Sequence, residues 1–218
     1  MALSKLKYNS FNVTPVADKA IGFDSGADDL SASISGGSMV FIKKLTASSS
    51  ATLSFVDGSA SVVLDDTYKE YLFTFNNIHP ATDQTNLVFQ GNAAGGSGYD
   101  ETMTTSTFQS QHSESDSSEL SYESGMDLAQ ATDFQRIAHE VGNDNDQSTS
   151  GYLHLFNPSN TTFIKHFIAK SQSYRYNDYS HSLFTAGYFN TTSAIDEIQF
   201  KMSSGNIDAG DICLYGIS

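Results

Sequence analysis

The sequence predicts an all-β fold, a jelly-roll-like antiparallel β-sandwich. Three observations carry this. Apolar residues recur with period two along most of the chain. Turn residues punctuate these runs every 8–15 positions, on the order expected for a sandwich. The composition holds 15 Phe and 11 Tyr against 3 Pro and no Trp, an aromatic content that argues for a packed core rather than disorder.

The elements follow in chain order. Residues 1–36 carry scattered apolar side chains between polar ones and read equally as an extended N-terminal arm or as the first strands; we take them as an arm for docking or assembly. The sandwich is then expected over 37–218. Ser38–Leu45, Ala51–Val56 and the short Val62–Leu64 read as strands. Tyr68–Asn76 is the clearest, with Tyr71, Phe73 and Phe75 alternating with Leu72 and Thr74, and Pro80 removing a ladder donor just beyond. Asn86–Gln90 and the Thr-rich Thr102–Ser110 follow, then a polar, acidic loop from Gln111 to Glu119 and a weaker strand from Ser121 to Leu128.

Residues 126–142 are ambiguous. Leu128, Ala131, Phe134, Ile137 and Val141 have near-helical spacing. The same stretch also reads as the first arm of a hairpin whose second arm is Tyr152–Asn157. The hairpin is preferred, because its neighbours are all strands. Thr162–Ser171, Ser182–Phe189, Ala194–Met202 and Asp211–Ile217 complete the series of short strands. In the last, Ile212 and Leu214 face one way and Cys213, Tyr215 and Ile217 the other, so it is expected to be central or covered by a partner.

Charge and motif content exclude several functions. The 25 acids and 11 bases among 218 residues leave a net charge of −14, which argues against nucleic acid and against an anionic membrane. No run of ~18 apolar residues offers a membrane-spanning helix. Lys5 and Lys7 are followed by no apolar h-region, so no secretory signal is expected and synthesis in a cytoplasm is. The single Cys213 excludes an internal disulfide framework. No nucleophile elbow, phosphate loop, dinucleotide fingerprint or zinc motif is present, and no enzyme is expected. The six His read as ordinary strand-face residues, although His154 and His166 flank a turn and are placed to face each other across a strand pair.

Two segments carry binding chemistry. Ser173 to His181 brings Tyr174, Arg175, Tyr176, Asn177 and Tyr179 into one turn. Tyrosine offers a rigid amphipathic face at low entropic cost; it stacks on sugars while Asn and Arg hydrogen-bond their hydroxyls. The competing reading makes Tyr174 and Tyr176 inward-packing strand residues. The second segment, Glu140, Asp144 and Asp146, crowds oxygen ligands of the kind calcium takes. It lacks the EF-hand glycine and glutamate, and a polar turn using Asn and Asp is the preferred account. No cofactor is expected apart from calcium at this loop.

Tyr188–Ile217 (YFNTTSAIDEIQFKMSSGNIDAGDICLYGI) resembles the closing hairpin of a group of tailed-phage virion proteins common in phages of marine bacteria, including cyanobacteria. Leu155–Lys165 (LFNPSNTTFIK) and Leu3–Ala17 (LSKLKYNSFNVTPVA) resemble the same group. The resemblance implies a structural protein of the virion surface, a tail-fibre or appendage component contacting the host. It is compatible with a capsid decoration protein and implies no catalytic residues. The expected partners are further copies of the chain, such as a trimer, other virion proteins and a host surface glycan. A free carbohydrate-binding module or glycan-degrading domain is the reading outside the virion.

Overall fold

A computed structural model describes residues 20–23, 30–34 and 38–217. They fall into two units that part after Val40. In the first, β1 (Ala20–Phe23) and β2 (Leu30–Ile34) pair antiparallel, with Phe23 opposite Leu30. The rest of the expected arm lies outside the described residues.

The strands that follow form two antiparallel sheets packed as a sandwich, and the described residues contain no helix. The larger sheet runs in the order β3 (Met39–Thr46), β15 (Ile207–Ile217), β5 (Glu70–Pro80), β11 (Thr149–Phe156), β12 (Lys165–Tyr174), β13 (Tyr179–Phe189), β7 (Met103–Ser113) and β8 (Ser118–Tyr122). A ninth strand, β9 (Ala129–Ala131), continues the β8 edge along β7. The smaller sheet runs β10 (Gln135–Val141), β6 (Thr85–Ala93), β14 (Ile195–Met202) and β4 (Leu53–Val56). A jelly roll divides its strands evenly between two sheets; here nine lie in one sheet and four in the other.

Six phenylalanines make the centre of the sandwich. Phe55, Phe89 and Phe200 come from the small sheet, and Phe73, Phe167 and Phe189 from the large one. They meet edge-on or tilted, Phe55 on Phe73 at 5.3 Å and Phe89 on Phe167 at 5.0 Å between ring centroids, the offset geometry that aromatic quadrupoles favour. All six are buried. Strand β15 lies one place in from the edge, with Ile212 and Leu214 in this core and Tyr215 half-buried on the outer face beside Phe41.

Several local readings change: β14 and β15, read as a closing hairpin, lie in different sheets, and Ser121–Leu128 holds only the end of β8. Residues 135–141 are a strand, but not one arm of a hairpin with β11. β10 pairs with β6 in the small sheet, whereas β11 lies in the large one. The near-helical spacing has a physical cause: register shifts between Arg136 and Ala138 and between Ala138 and Val141 stretch the period beyond two. Val62 and Leu64 are buried without forming a strand, because Ala60 and Ser61 take positive φ and turn the chain. The polar stretch after Ser110 is a tight hairpin, β7 running to Ser113 and β8 beginning at Ser118, with the Ser117 N–H donating to Ser113 Oγ at 3.0 Å.

Candidate functional site

The β12–β13 hairpin carries all five residues of the tyrosine segment, and its turn sends them to different faces. Tyr174 ends β12 opposite Ser180. The turn closes through Arg175 N–H to the Tyr179 carbonyl at 3.0 Å and Asp178 N–H to the Arg175 carbonyl at 3.1 Å. Asp178 takes the left-handed φ of 63° that such a turn demands of one residue. Tyr174 points to the outer side, Arg175 inward, and Asn177 is exposed at the tip.

On the outer side Tyr174 forms a wall of an open cleft of about 500 Å³. Its other lining residues are polar in type. Ser148 precedes β11 and Ser150 lies at its start, Gln172 comes from β12, Ser180 from β13, His112 and Ser113 from the end of β7, and Glu114 follows them. The Tyr174 hydroxyl lies 3.2 Å from Asp178 Oδ1 and 3.4 Å from Glu114 Oε1, and donates to one at a time. Desolvation and these carboxylates push its pKa up to about 12, so the ring stays a neutral phenol throughout the physiological range. Gln172 Nε2 donates to Ser180 Oγ at 2.9 Å, and Ser182 Oγ to Gln172 Oε1 at 2.5 Å. One aromatic face among several hydroxyls, an amide and two carboxylates is suited to a polyhydroxylated ligand.

On the inner side Arg175 is buried beneath Tyr176 and Tyr179, with its guanidinium 5.9 and 5.7 Å from their ring centroids. It donates to Gln111 Oε1 on β7 and to the Glu140 carboxylate at the end of β10. Backbone bonds reinforce this joint: Tyr176 N–H donates to the Glu140 carbonyl at 3.3 Å, and Val141 bridges Arg175. Arg175 and Tyr176 therefore tie the two sheets together, Tyr179 packs against the Arg175 guanidinium, and Tyr174 alone of the five lines the cleft.

The acidic loop is also divided. Glu140 is engaged by Arg175 and accepts from Gln84 Nε2 at 3.3 Å. Asp144 and Asp146 are exposed in the loop beyond. Among the described residues no three His, Cys, Asp or Glu side chains converge as a metal site. His154 and His166 do not oppose each other: His154 sits opposite Ile168 and beside Glu70, Nε2 to Oε2 2.8 Å.

Two sets of residues were not legible beforehand. The cleft walls come from β7, β11 and β13, strands far apart in sequence that only the sheet order brings beside Tyr174. The second set is a buried polar cluster between the sheets. His181 on β13 is fully buried, with Nε2 2.6 Å from Gln109 Oε1. His139 on β10 bonds through Nδ1 to Asn86 Oδ1 at 3.0 Å. Burial foremost, then the nearby guanidinium groups, hold His139 down to about 3 and His181 to about 4. The cluster ties β10 to β13 and β7 between the two sheets and works as a structural lock.

Compared with protein-family models, curated proteins and solved structures, the chain matches none of them.

Proposed function

We propose that this protein is a structural component of a bacteriophage virion surface, a tail-fibre or appendage protein, and that the Tyr174 cleft is where it contacts a neutral glycan of the host. The virion assignment is supported by the resemblance of the Leu3–Ala17, Leu155–Lys165 and Tyr188–Ile217 segments to tailed-phage virion proteins. The observation that carries the contact site is the cleft itself: a single tyrosine ring facing hydroxyls and an amide in a space of about 500 Å³, the size range of small-ligand sites.

The chemistry selects the ligand class. A pyranose presents C–H groups on one face, which pack on an aromatic ring, and hydroxyls around its edge. Glu114 and Asp178 accept from those hydroxyls, while Gln172 and the serines both donate and accept. The two carboxylates repel acidic sugars. Single sugar contacts of this kind are weak, and repeated copies on a particle raise the avidity.

The test is binding of the full chain to arrays of neutral and acidic glycans, with Tyr174→Ala and Tyr176→Ala variants. Binding to neutral glycans, lost at least tenfold in Tyr174→Ala and kept in a folded Tyr176→Ala, is the expected result. Equal binding by wild type and Tyr174→Ala, or no glycan bound by either, removes the cleft as the contact site.

A further inference from the structure

The outer face of the larger sheet carries more exposed apolar surface than a solitary β-sandwich has use for. One cross-strand row runs Tyr152, Lys170, Phe184, Phe108, Tyr122 over β11, β12, β13, β7 and β8, each residue directly opposite the next. Phe108 and Phe184 stack at 4.7 Å with their planes 3° apart, and Lys170 Nζ lies 4.8 Å over the Phe184 ring. Tyr122 is 63% exposed, Phe108 46% and Tyr152 37%. The next row sets His154 opposite Ile168, itself 47% exposed, and Ile168 opposite Ala186. Beside it Phe156, Ile168 and Tyr188 wall a groove of about 490 Å³ over the small residues Ala186 and Gly187.

We propose that this face is the contact between two copies of the chain, packed sheet to sheet across a twofold axis. Three observations select a second copy. The first is charge. The chain carries −14, so most of its surface repels another copy. On the outward positions of β5, β11, β12, β13, β7 and β8 the only carboxylate is Glu70, and His154 pairs with it at 2.8 Å; at the rim Asp127 accepts from the Tyr122 hydroxyl. The second is size. Six strands from β5 to β8 at ~4.8 Å and three rows at ~6.8 Å give a patch of roughly 600 Å² in plane. Side-chain relief raises this towards the ~800 Å² per partner of a standard interface. The third is shape. An isologous contact needs projections and a recess on the same patch, and Tyr152 and Ile168 project beside the Ala186 groove. The pairing does not depend on what the Tyr174 cleft binds, since Tyr174 lies four residues along β12 from Lys170, at the end of the face.

Sedimentation equilibrium of the full chain across 1–100 µM (about a hundredfold range, suited to interfaces of this size) tests the pairing. Twice the chain mass is expected for wild type, with the dissociation constant raised at least a hundredfold in Ile168→Glu and in Phe108→Glu, both exposed positions whose variants keep the wild-type circular dichroism. Lys170 is the only outward lysine on β5, β11, β12, β13, β7 and β8. A short amine cross-linker applied to mixed ¹⁴N- and ¹⁵N-labelled protein is expected to join Lys170 of one copy to Lys170 of the other. A monomer at every concentration, a threefold mass, an Ile168→Glu variant as dimeric as wild type, or Lys170 linked only to lysines of its own chain overturns it.

Discussion

His139 on β10 and His181 on β13 face each other between the two sheets, with ring centroids 5.6 Å apart. Arg136 and Arg175 flank them, Glu140 stands 3.6 Å from His139 Nε2, and Gln109 and Asn86 take their hydrogen bonds. Two imidazoles this close to two guanidinium groups and to each other are stable only as neutral rings, and burial enforces the same state.

Stability is therefore predicted to fall on mild acidification. In the unfolded chain both histidines take up protons below the ordinary value of 6.5. In the fold they do so only near 3 and 4. The unfolded state thus binds more protons through this window, and stability is full above 6.5 and declines as pH drops towards 4. A Tm series from pH 7.5 to 4 should show this decline, and a His139→Gln/His181→Gln variant should be flatter between 6.5 and 5. A wild-type Tm that holds or rises over that range contradicts the lock.

The Arg175–Glu140 pair joins the β12–β13 turn to the end of β10. Its side chains are 11% and 22% exposed, enough solvent to soften the loss below that of a fully buried pair. Glu140→Gln is expected to cost about 2–3 kcal/mol in urea unfolding, from an uncompensated guanidinium. In the double-mutant cycle, adding Arg175→Met should recover part of that cost. Purely additive losses would show that the pair is not coupled.

Gly151 on β11 sits against β12. A Cβ there would lie 2.1 Å from the Lys170 carbonyl and 2.8 Å from Ser171 Cα. Backbone atoms cannot swing aside as a flexible side chain does. Gly151→Ala should destabilise by about 1–3 kcal/mol by prising β11 from β12, whereas Gly58→Asn, at a φ of 71° with open space around it, should be nearly neutral. The two midpoints in urea distinguish these outcomes.

In the core, Phe73→Ala and Phe200→Ala each remove one ring from a contacting pair 5.6 Å apart. Each should cost about 3–5 kcal/mol, and the double variant less than their sum, because the second ring leaves a cavity already opened. Additive costs would mean the rings pack independently.

The strands that the sequence revealed are those whose alternation is unbroken. Tyr71, Phe73 and Phe75 alternate inward, and β5 is found over them, although it runs on past Asn76 and through Pro80, where it pairs with Ile207 across register shifts. β10 disguised itself through its two bulges, and its partner β6 lies across a sheet boundary that no local pattern records. The tyrosine segment was legible as a turn. Which face each residue takes was not, because the turn from Arg175 to Asp178 breaks the period that would have placed Tyr174 and Tyr176 together. The cleft was hidden for a further reason: β7, β11 and β13 supply its walls, and strand order is a long-range property of the fold.

The most direct test of the proposed role is immunogold electron microscopy of purified phage particles, with antibody raised against the folded chain. Gold confined to the tail or its appendages is the predicted result. Gold spread over the head would make the protein a capsid decoration component, and particles left unlabelled while the isolated chain binds the antibody would contradict a place on the virion surface.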